Sequence, residues 1–327
     1  MVFFSAPLAI AQVADGAVVR CLSAWSSYEN ARELAQTKSW GAVFETLKPA
    51  LTRGALIPGF LSLYSRAAVL EGKREDALLY LSAAWSTGGK SSAVVIGERI
   101  QILSRIFLTA ESAQRFEEGR ALLEAGKTLP AADRFQQLLA VEPGNVEVLL
   151  RLAQARILDG QAEAARELLL KAKRFNPVEP EISLWLGRAL FLRGRHQAGI
   201  EELRRARRGI KESEHAAIWL AEAMAGAGQR TGAIQVLEQD LKYFPQHLQV
   251  LIQVARYRLL FFDHDIDMIW SARKEVQLGL SRLALYRSEQ HPRTESEFGI
   301  QLGTTESIRS SLQTLMEKIE TRLARVE

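Results

Sequence analysis

The sequence predicts an all-α fold built as a right-handed solenoid of helical hairpins, and three observations predict it. Gly126, Gly160, Gly194 and Gly228 stand 34 residues apart. Small residues keep fixed offsets from them: Gly119, Ala153, Gly187 and Ala221 lie seven before, and Ala131, Ala165, Gly199 and Ala233 five after. Large apolar residues (Phe135, Leu169, Leu203, Leu237) follow nine after each glycine, and Pro143, Pro177 and Pro245 close three of the four units, with Lys211 in the remaining slot.

A period of 34 fits two short helices and two turns. Such a pair cannot bury its own apolar stripe and must stack on its neighbours. The small residues fall where the two helices of a pair cross, because a larger side chain would hold the axes apart. The glycine ends the first helix, taking positive φ without a Cβ penalty. The proline stops the second helix and moves the preceding residue out of the α region. Leu152, Leu186 and Leu220, with the four large residues above, form the interlocking core.

These columns resemble the tetratricopeptide repeat (TPR) family. The clean match runs over residues 112–247, and a further unit fits at 58–91, with Ser65, Gly72, Ala77 and Leu81 on the same offsets. The resemblance implies a TPR-like superhelix of five to seven helix pairs, with atypical caps at both ends. Where the family usually carries an aromatic and a tyrosine in its first helix, this chain has Leu149, Ser183 and Ala217, then Leu122, Arg156, Leu190 and Met224.

Composition agrees with an all-α chain. The 327 residues are 47% hydrophobic and 24% charged, without the alternating β-branched runs that mark strands. A net charge of +4 is too weak to imply nucleic acid by itself. The single cysteine, Cys21, excludes an internal disulfide and a cysteine-based zinc site.

Four regions follow in order. Residues 1–22 form an apolar start, too short to span a membrane as a helix and interrupted by Pro7. Ala9-Ile10-Ala11 resembles a signal-peptidase site, yet no basic residue precedes the apolar run. Both a cytoplasmic and an exported, periplasmic-type location stay open. Residues 23–111 read as degenerate repeats and a buried helix. Lys38 occupies the glycine slot of one unit, whose turn is expected to slide to Trp40-Gly41-Ala42. Over 92–111 Val95, Ile96, Ile100, Leu103, Ile106 and Phe107 predict a helix apolar on much of its surface, packed between the halves of the array. The four regular units occupy 112–247. In 248–327 the pattern decays: Phe262 replaces the glycine and Asp267 the small residue. A helix is expected around Arg273–Glu289, then a polar loop, then a last helix at about Thr305–Val326. Its stripe Ile308, Leu312, Leu315, Ile319, Leu323 and Val326 suits a cap, or self-association through another helix.

Several motifs invite chemistry and fail. Gly88-Gly89-Lys90-Ser91 lacks the earlier glycine of a phosphate loop, has Ala84 there, and follows a helix instead of a strand. Asp263-His264-Asp265-Ile266-Asp267 lacks the glycine and glutamate of a calcium loop, and its acids suit a helix start. The five histidines are scattered without ligand spacing, and no serine elbow or Cys/His set appears. No catalytic residue, metal or cofactor is assigned, and the chain reads as non-catalytic.

Two surfaces remain. The resemblance implies partner binding in the concave groove, along the exposed side of each first helix: Phe116, Arg120, Leu150, Gln154, Leu184, Trp185, Arg188, Phe191, Ile218, Trp219 and Glu222. Trp185 and Trp219 are 34 apart and would form an aromatic ladder if both faced the groove. Members that grip a C-terminal carboxylate carry lysine and asparagine on these faces; here Phe116, Arg120, Arg151 and Glu181 stand instead. The second surface is a basic patch, Arg204, Arg205, Arg207 and Arg208, with Glu201 placed to pair with Arg204 and Arg205 at ~0.3–0.5 kcal/mol each. The expected function is a protein–protein interaction scaffold that binds a peptide or protein partner, with no small-molecule substrate. The alternatives are an accessory module of an export or envelope assembly, or acidic-surface or nucleic-acid binding through residues 204–208.

Overall fold

A computed structural model describes residues 25–52, 58–87, 90–288, 296–297, 300–301 and 305–325. The apolar start at 1–22, Gly88, Gly89 and the polar loop 291–295 lie outside them. The fold is all-α and of the helical-hairpin repeat type, as the columns predict. It divides into two compact units that interleave along the chain: 1–117, 133–152 and 170–179 form one, and 118–132, 153–169 and 180–327 the other.

In the first unit, α1 (25–36), α2 (Trp40–Thr52), α3 (Pro58–Leu70), α4 (Arg74–Thr87) and α5 (Lys90–Arg105) are joined by parts of α6 (Ala110–Glu124), α7 (Thr128–Val141), α8 (Val146–Leu158) and α9 (Ala162–Phe175). Phe44 stacks on Tyr64 at 4.7 Å within a buried set that includes Leu47, Phe60, Leu61, Leu78 and Leu81. Burial pushes the Tyr64 hydroxyl far above its ordinary range. The loops closing α7 and α9 hold α4 and α5. Arg74 Nη1 donates to Glu142 Oε2 at 3.0 Å with both side chains buried, and its Nη2 donates to the Ile106 carbonyl at 2.7 Å. Ser82 donates to the Phe175 carbonyl and Asn176 to Ser104 Oγ, each at 3.0 Å. Glu142 and Asn176 stand 34 apart, so one column of the repeat does this anchoring twice.

Helix α5 differs from expectation. It is apolar on much of its surface, but Ile96, Ile100 and Leu103 are buried while Val94 and Ile102 are exposed, so only one side of it is packed. It ends at Arg105 because the chain turns at 106–109, where the Leu108 amide donates to Glu142 Oε1 at 2.7 Å. The expected slide of the first turn does not occur. Lys38 itself takes φ 57°, as the glycine would, and Trp40 and Gly41 already belong to α2.

The second unit holds α10 (Pro180–Leu192), α11 (His196–Gly209), α12 (Glu214–Gly226), α13 (Arg230–Tyr243), α14 (Leu248–Phe261), α15 (Ile266–Ser288) and α16 (Thr305–Leu323). Gly194 and Gly228 have φ 72° and 80°. At the first, the Arg195 amide returns to the Leu190 carbonyl at 2.9 Å and the Gly194 amide to Phe191 at 2.8 Å, closing the helix end. Ser213 caps α12, its hydroxyl accepting from the Ala216 amide at 2.9 Å. At Phe262, where the glycine is missing, φ is −134°.

Helix α15 begins seven residues earlier than expected, at Ile266, with Asp265 accepting from the Met268 amide at its start. A two-residue antiparallel ladder, Ser296–Glu297 with Ile300–Gln301, precedes α16 and was not anticipated. Leu312, Leu315, Ile319 and Leu323 of α16 share one buried cluster with Leu251, Ile252 and Leu259 of α14 and Ile269, Ala272 and Val276 of α15, with Ile308 packed against it. These residues of the stripe are therefore packed within the chain as a cap would be, and Val326 lies outside the described residues. No helix among the described residues is long and apolar enough to cross a membrane.

Candidate partner-binding faces

The 34-residue period sets equivalent first-helix residues of α10, α12 and α14 side by side, because neighbouring helices pack with axes about 8–10 Å apart. Trp185 and Trp219 meet edge to face, their centroids 5.0 Å apart and their planes at 65°. Trp185 Nε1 donates to Glu181 Oε1 at 3.3 Å, and His215 lies edge-on to Trp219 at 5.5 Å. The ladder exists, but both rings are buried within the chain. Phe116, Leu150, Gln154 and Leu184 are buried as well. These six residues, expected on an open groove face, serve packing; Phe116, for one, sits between Phe107 and Phe135 at 5.1 and 5.7 Å.

What reaches the surface on this face is mixed, charged and apolar. Arg120 is exposed and pairs with Glu124 at 3.4 Å. Arg188, Phe191, Ile218 and Glu222 are half-buried. Arg188 donates to Glu222, its partner one period on, while its guanidinium lies 5.2 Å from the Trp219 ring centroid and 5.3 Å from that of Phe191. Tyr257 of α14 is buried beside them. Burial raises its pKa; a hydrogen bond with Gln253 and the charge of Arg188 oppose that, and the charge of Glu222 adds to it.

The basic patch divides. Arg205 pairs with Glu202 at 3.2 Å, not with Glu201, because a three-residue step brings Glu202 under it. Arg207 donates to Asp240 Oδ1 at 3.0 Å, and the other oxygen of Asp240 is 2.7 Å from His247 Nδ1. Arg204 and Arg208 are exposed. Asp240 and Tyr257 were missed in the sequence although a signal was present. Asp240 continues a column held by Ala172 and Ala206, and Tyr257 one held by Ala155, Ala189 and Ala223. Among the described residues no three His, Cys, Asp or Glu side chains gather as a metal site.

Comparison with known proteins agrees with the repeat. A tetratricopeptide repeat family model matches residues 122–189, and a second model of the same description matches 172–214. No curated protein matches the chain. Among solved structures, a crystal structure of MamA protein is 20% identical and covers 55% of this chain and 96% of its own, with a TM-score of 0.44. MamA 41-end from Desulfovibrio magneticus RS-1 is 15% identical and covers 56% and 99%, with a TM-score of 0.45. The columns of glycine, small and large residues, the hairpins they build and both matched models identify residues 122–214 as tetratricopeptide repeats.

Proposed function

We propose that the chain is a protein–protein interaction scaffold that receives a peptide or protein partner on the first-helix face of α10, α12 and α14. The general interaction role follows from the family; the face is our reading. One observation carries it: Arg188 and Glu222, in equivalent positions of successive units, present a half-buried charge pair over an aromatic base. Phe191 and Ile218 flank it with apolar surface. A cation held over tryptophan beside a carboxylate offers an incoming chain both a donor and an acceptor, with aromatic and arginine side chains of the kind that dominate interface energy.

Because Trp185 and Trp219 are packed inside, truncating them would damage the fold. Surface changes test the face instead. Arg188→Glu and Ile218→Asp would each be compared with wild type in pull-downs at low and high salt, bound proteins being identified by mass spectrometry. The expected result is one partner lost from both variants while helical content stays unchanged. Equal capture by all three proteins would remove this face from consideration.

A further inference from the structure

On the second helices of the same unit, α11 and α13 border a cleft of about 710 Å³. Helix α11 sends Arg204, Arg207 and Arg208 into it from its last two turns, and Lys211 joins them from the turn that follows the helix. Helix α13 faces them with Val236, Gln239 and Tyr243. Leu220 and Phe244 complete an apolar floor.

Three of the four positive charges in this cleft are not neutralised. Arg204, Arg208 and Lys211 have no carboxylate within ion-pair distance among the described residues, whereas Arg205, one position round the helix, is paired with Glu202 outside the cleft. One unit earlier the columns of Arg204 and Val236 hold Leu170 and Glu202, an apolar residue and an acid. The wall is built rather than mobile. Buried Asp240 holds Arg207 at 3.0 Å and His247 at 2.7 Å, and His247 stacks on Phe244 at 5.0 Å and 19°. Tyr243 stands at the rim, 66% exposed.

We propose that this cleft binds an acidic peptide segment, its carboxylates on Arg204, Arg208 and Lys211 and one apolar or aromatic side chain on the Leu220–Val236–Phe244 floor. Charge complementarity selects the occupant. Guanidinium forks match carboxylates in two-point hydrogen bonds, and the apolar floor matches a hydrophobic residue set among acids. The volume lies in the range of pockets that enclose a small ligand or a short stretch of side chains. Nucleic acid fits less well, since successive bases need a track of aromatic platforms and this cleft exposes a single ring at its rim. The charges of this site lie on α11 and the turn after it, on none of the residues of the Arg188–Glu222 face, and the proposal stands or falls independently of that face.

The test is fluorescence anisotropy on the full chain with a fluorescein-labelled glutamate-rich peptide carrying one phenylalanine. Arg204→Gln with Arg208→Gln is compared with Arg134→Gln with Arg205→Gln, which removes the same charge outside the cleft; Tyr243→Ser probes the rim. All five residues are exposed, and circular dichroism checks that the fold persists. The cleft pair is expected to weaken binding by about tenfold or more, the outer pair by less than about twofold, and Tyr243→Ser by an intermediate factor. Three results would overturn the proposal: no binding of the peptide, equal weakening by the two pairs, or tighter binding of single-stranded oligodeoxythymidylate of equal charge that the cleft pair abolishes.

Discussion

Gly187 and Gly199 meet backbone to backbone: a Cβ on either would lie 3.1 Å from the other's carbonyl oxygen. At Gly187 the added carbon would also stand 2.5 Å from Leu203 Cγ. The other three regular units carry Gly119 with Ala131, Ala153 with Ala165 and Ala221 with Ala233 in these columns, so of the four regular hairpins the third alone uses glycine on both helices. Gly187→Ala is expected to force α10 and α11 apart and lower stability by ~1–3 kcal/mol. Urea unfolding measures it; an unchanged midpoint would show that the crossing relaxes without strain.

The repeat was legible because each column answers to a local rule. Gly72, Gly126, Gly160, Gly194 and Gly228 all take positive φ, and Ala131, Ala165 and Ala233 are fully buried at their crossings. The partner-binding face was less legible. Period alone places Trp185 and Trp219 side by side but does not say whether the rings close on each other or open to solvent. Contacts that ignore the period were invisible: Arg74 and Glu142 are 68 residues apart, and nothing in either local pattern predicts their pairing. Arg204 and Arg205 look equivalent in sequence, and only the packing of α11 sends one into the cleft and the other away from it.

Lys38 makes the turn rule testable from its exception. Its φ of 57° is the left-handed conformation that the five column glycines adopt. A side chain there costs about 1 kcal/mol relative to glycine. Lys38→Gly is therefore expected to stabilise the α1–α2 hairpin by ~0.5–1 kcal/mol, read as slower amide exchange over residues 25–52. Faster exchange there would mean that the added freedom of the unfolded chain outweighs the relief of strain.

The Arg74–Glu142 pair is a different kind of contact. Glu142 accepts from Arg74 and from the Leu108 amide, and Arg74 also caps the Ile106 carbonyl. Burial lowers the Arg74 pKa against the raising effect of Glu142. Glu142→Ala would strand a buried guanidinium and an amide, at a cost of ~3–5 kcal/mol. Arg74→Met with Glu142→Leu is expected to cost far less, since no charge is left behind. Urea midpoints of the two variants check the order, and the reverse order would mean that the pair itself, not its isolation, decides stability.

Glu275 supplies a pH dependence. Burial pushes its carboxyl up from the ordinary 4.5 to about 7 despite the neighbouring Arg258, and its Oε2 is buried without a partner. Between those two values the folded chain holds a proton that the unfolded chain has released. Raising the pH through about 5 to 7 should therefore remove stability, on the order of 2 kcal/mol in all. Glu275→Gln, neutral at every pH, should flatten that slope in thermal unfolding at pH 5 to 8 and be the more stable protein at pH 8. A wild-type slope of the opposite sign over this window would show that Arg258 governs the site instead of burial.

Helix α16 closes the repeat by covering what an additional unit would otherwise cover. Its Leu312 and Ile319 are fully buried against α14 and α15, and Arg322 donates to the Leu259 carbonyl near the end of α14. The last hairpin of such an array keeps an apolar face that its own helices cannot fill. Removing residues 305–327 should expose Leu251, Ile252, Ile269 and Val276 together, a contiguous patch of the sort that drives association. Leu312→Ala is the milder version, leaving a cavity at a cost of ~2–5 kcal/mol. Light scattering after size exclusion is expected to show the truncated chain forming larger species than the full chain, while Leu312→Ala keeps the full chain's mass and unfolds earlier. If the truncated chain instead kept the full chain's oligomeric state and melting temperature, α16 would be an appendage, and the α14–α15 face would be closed by its own side chains.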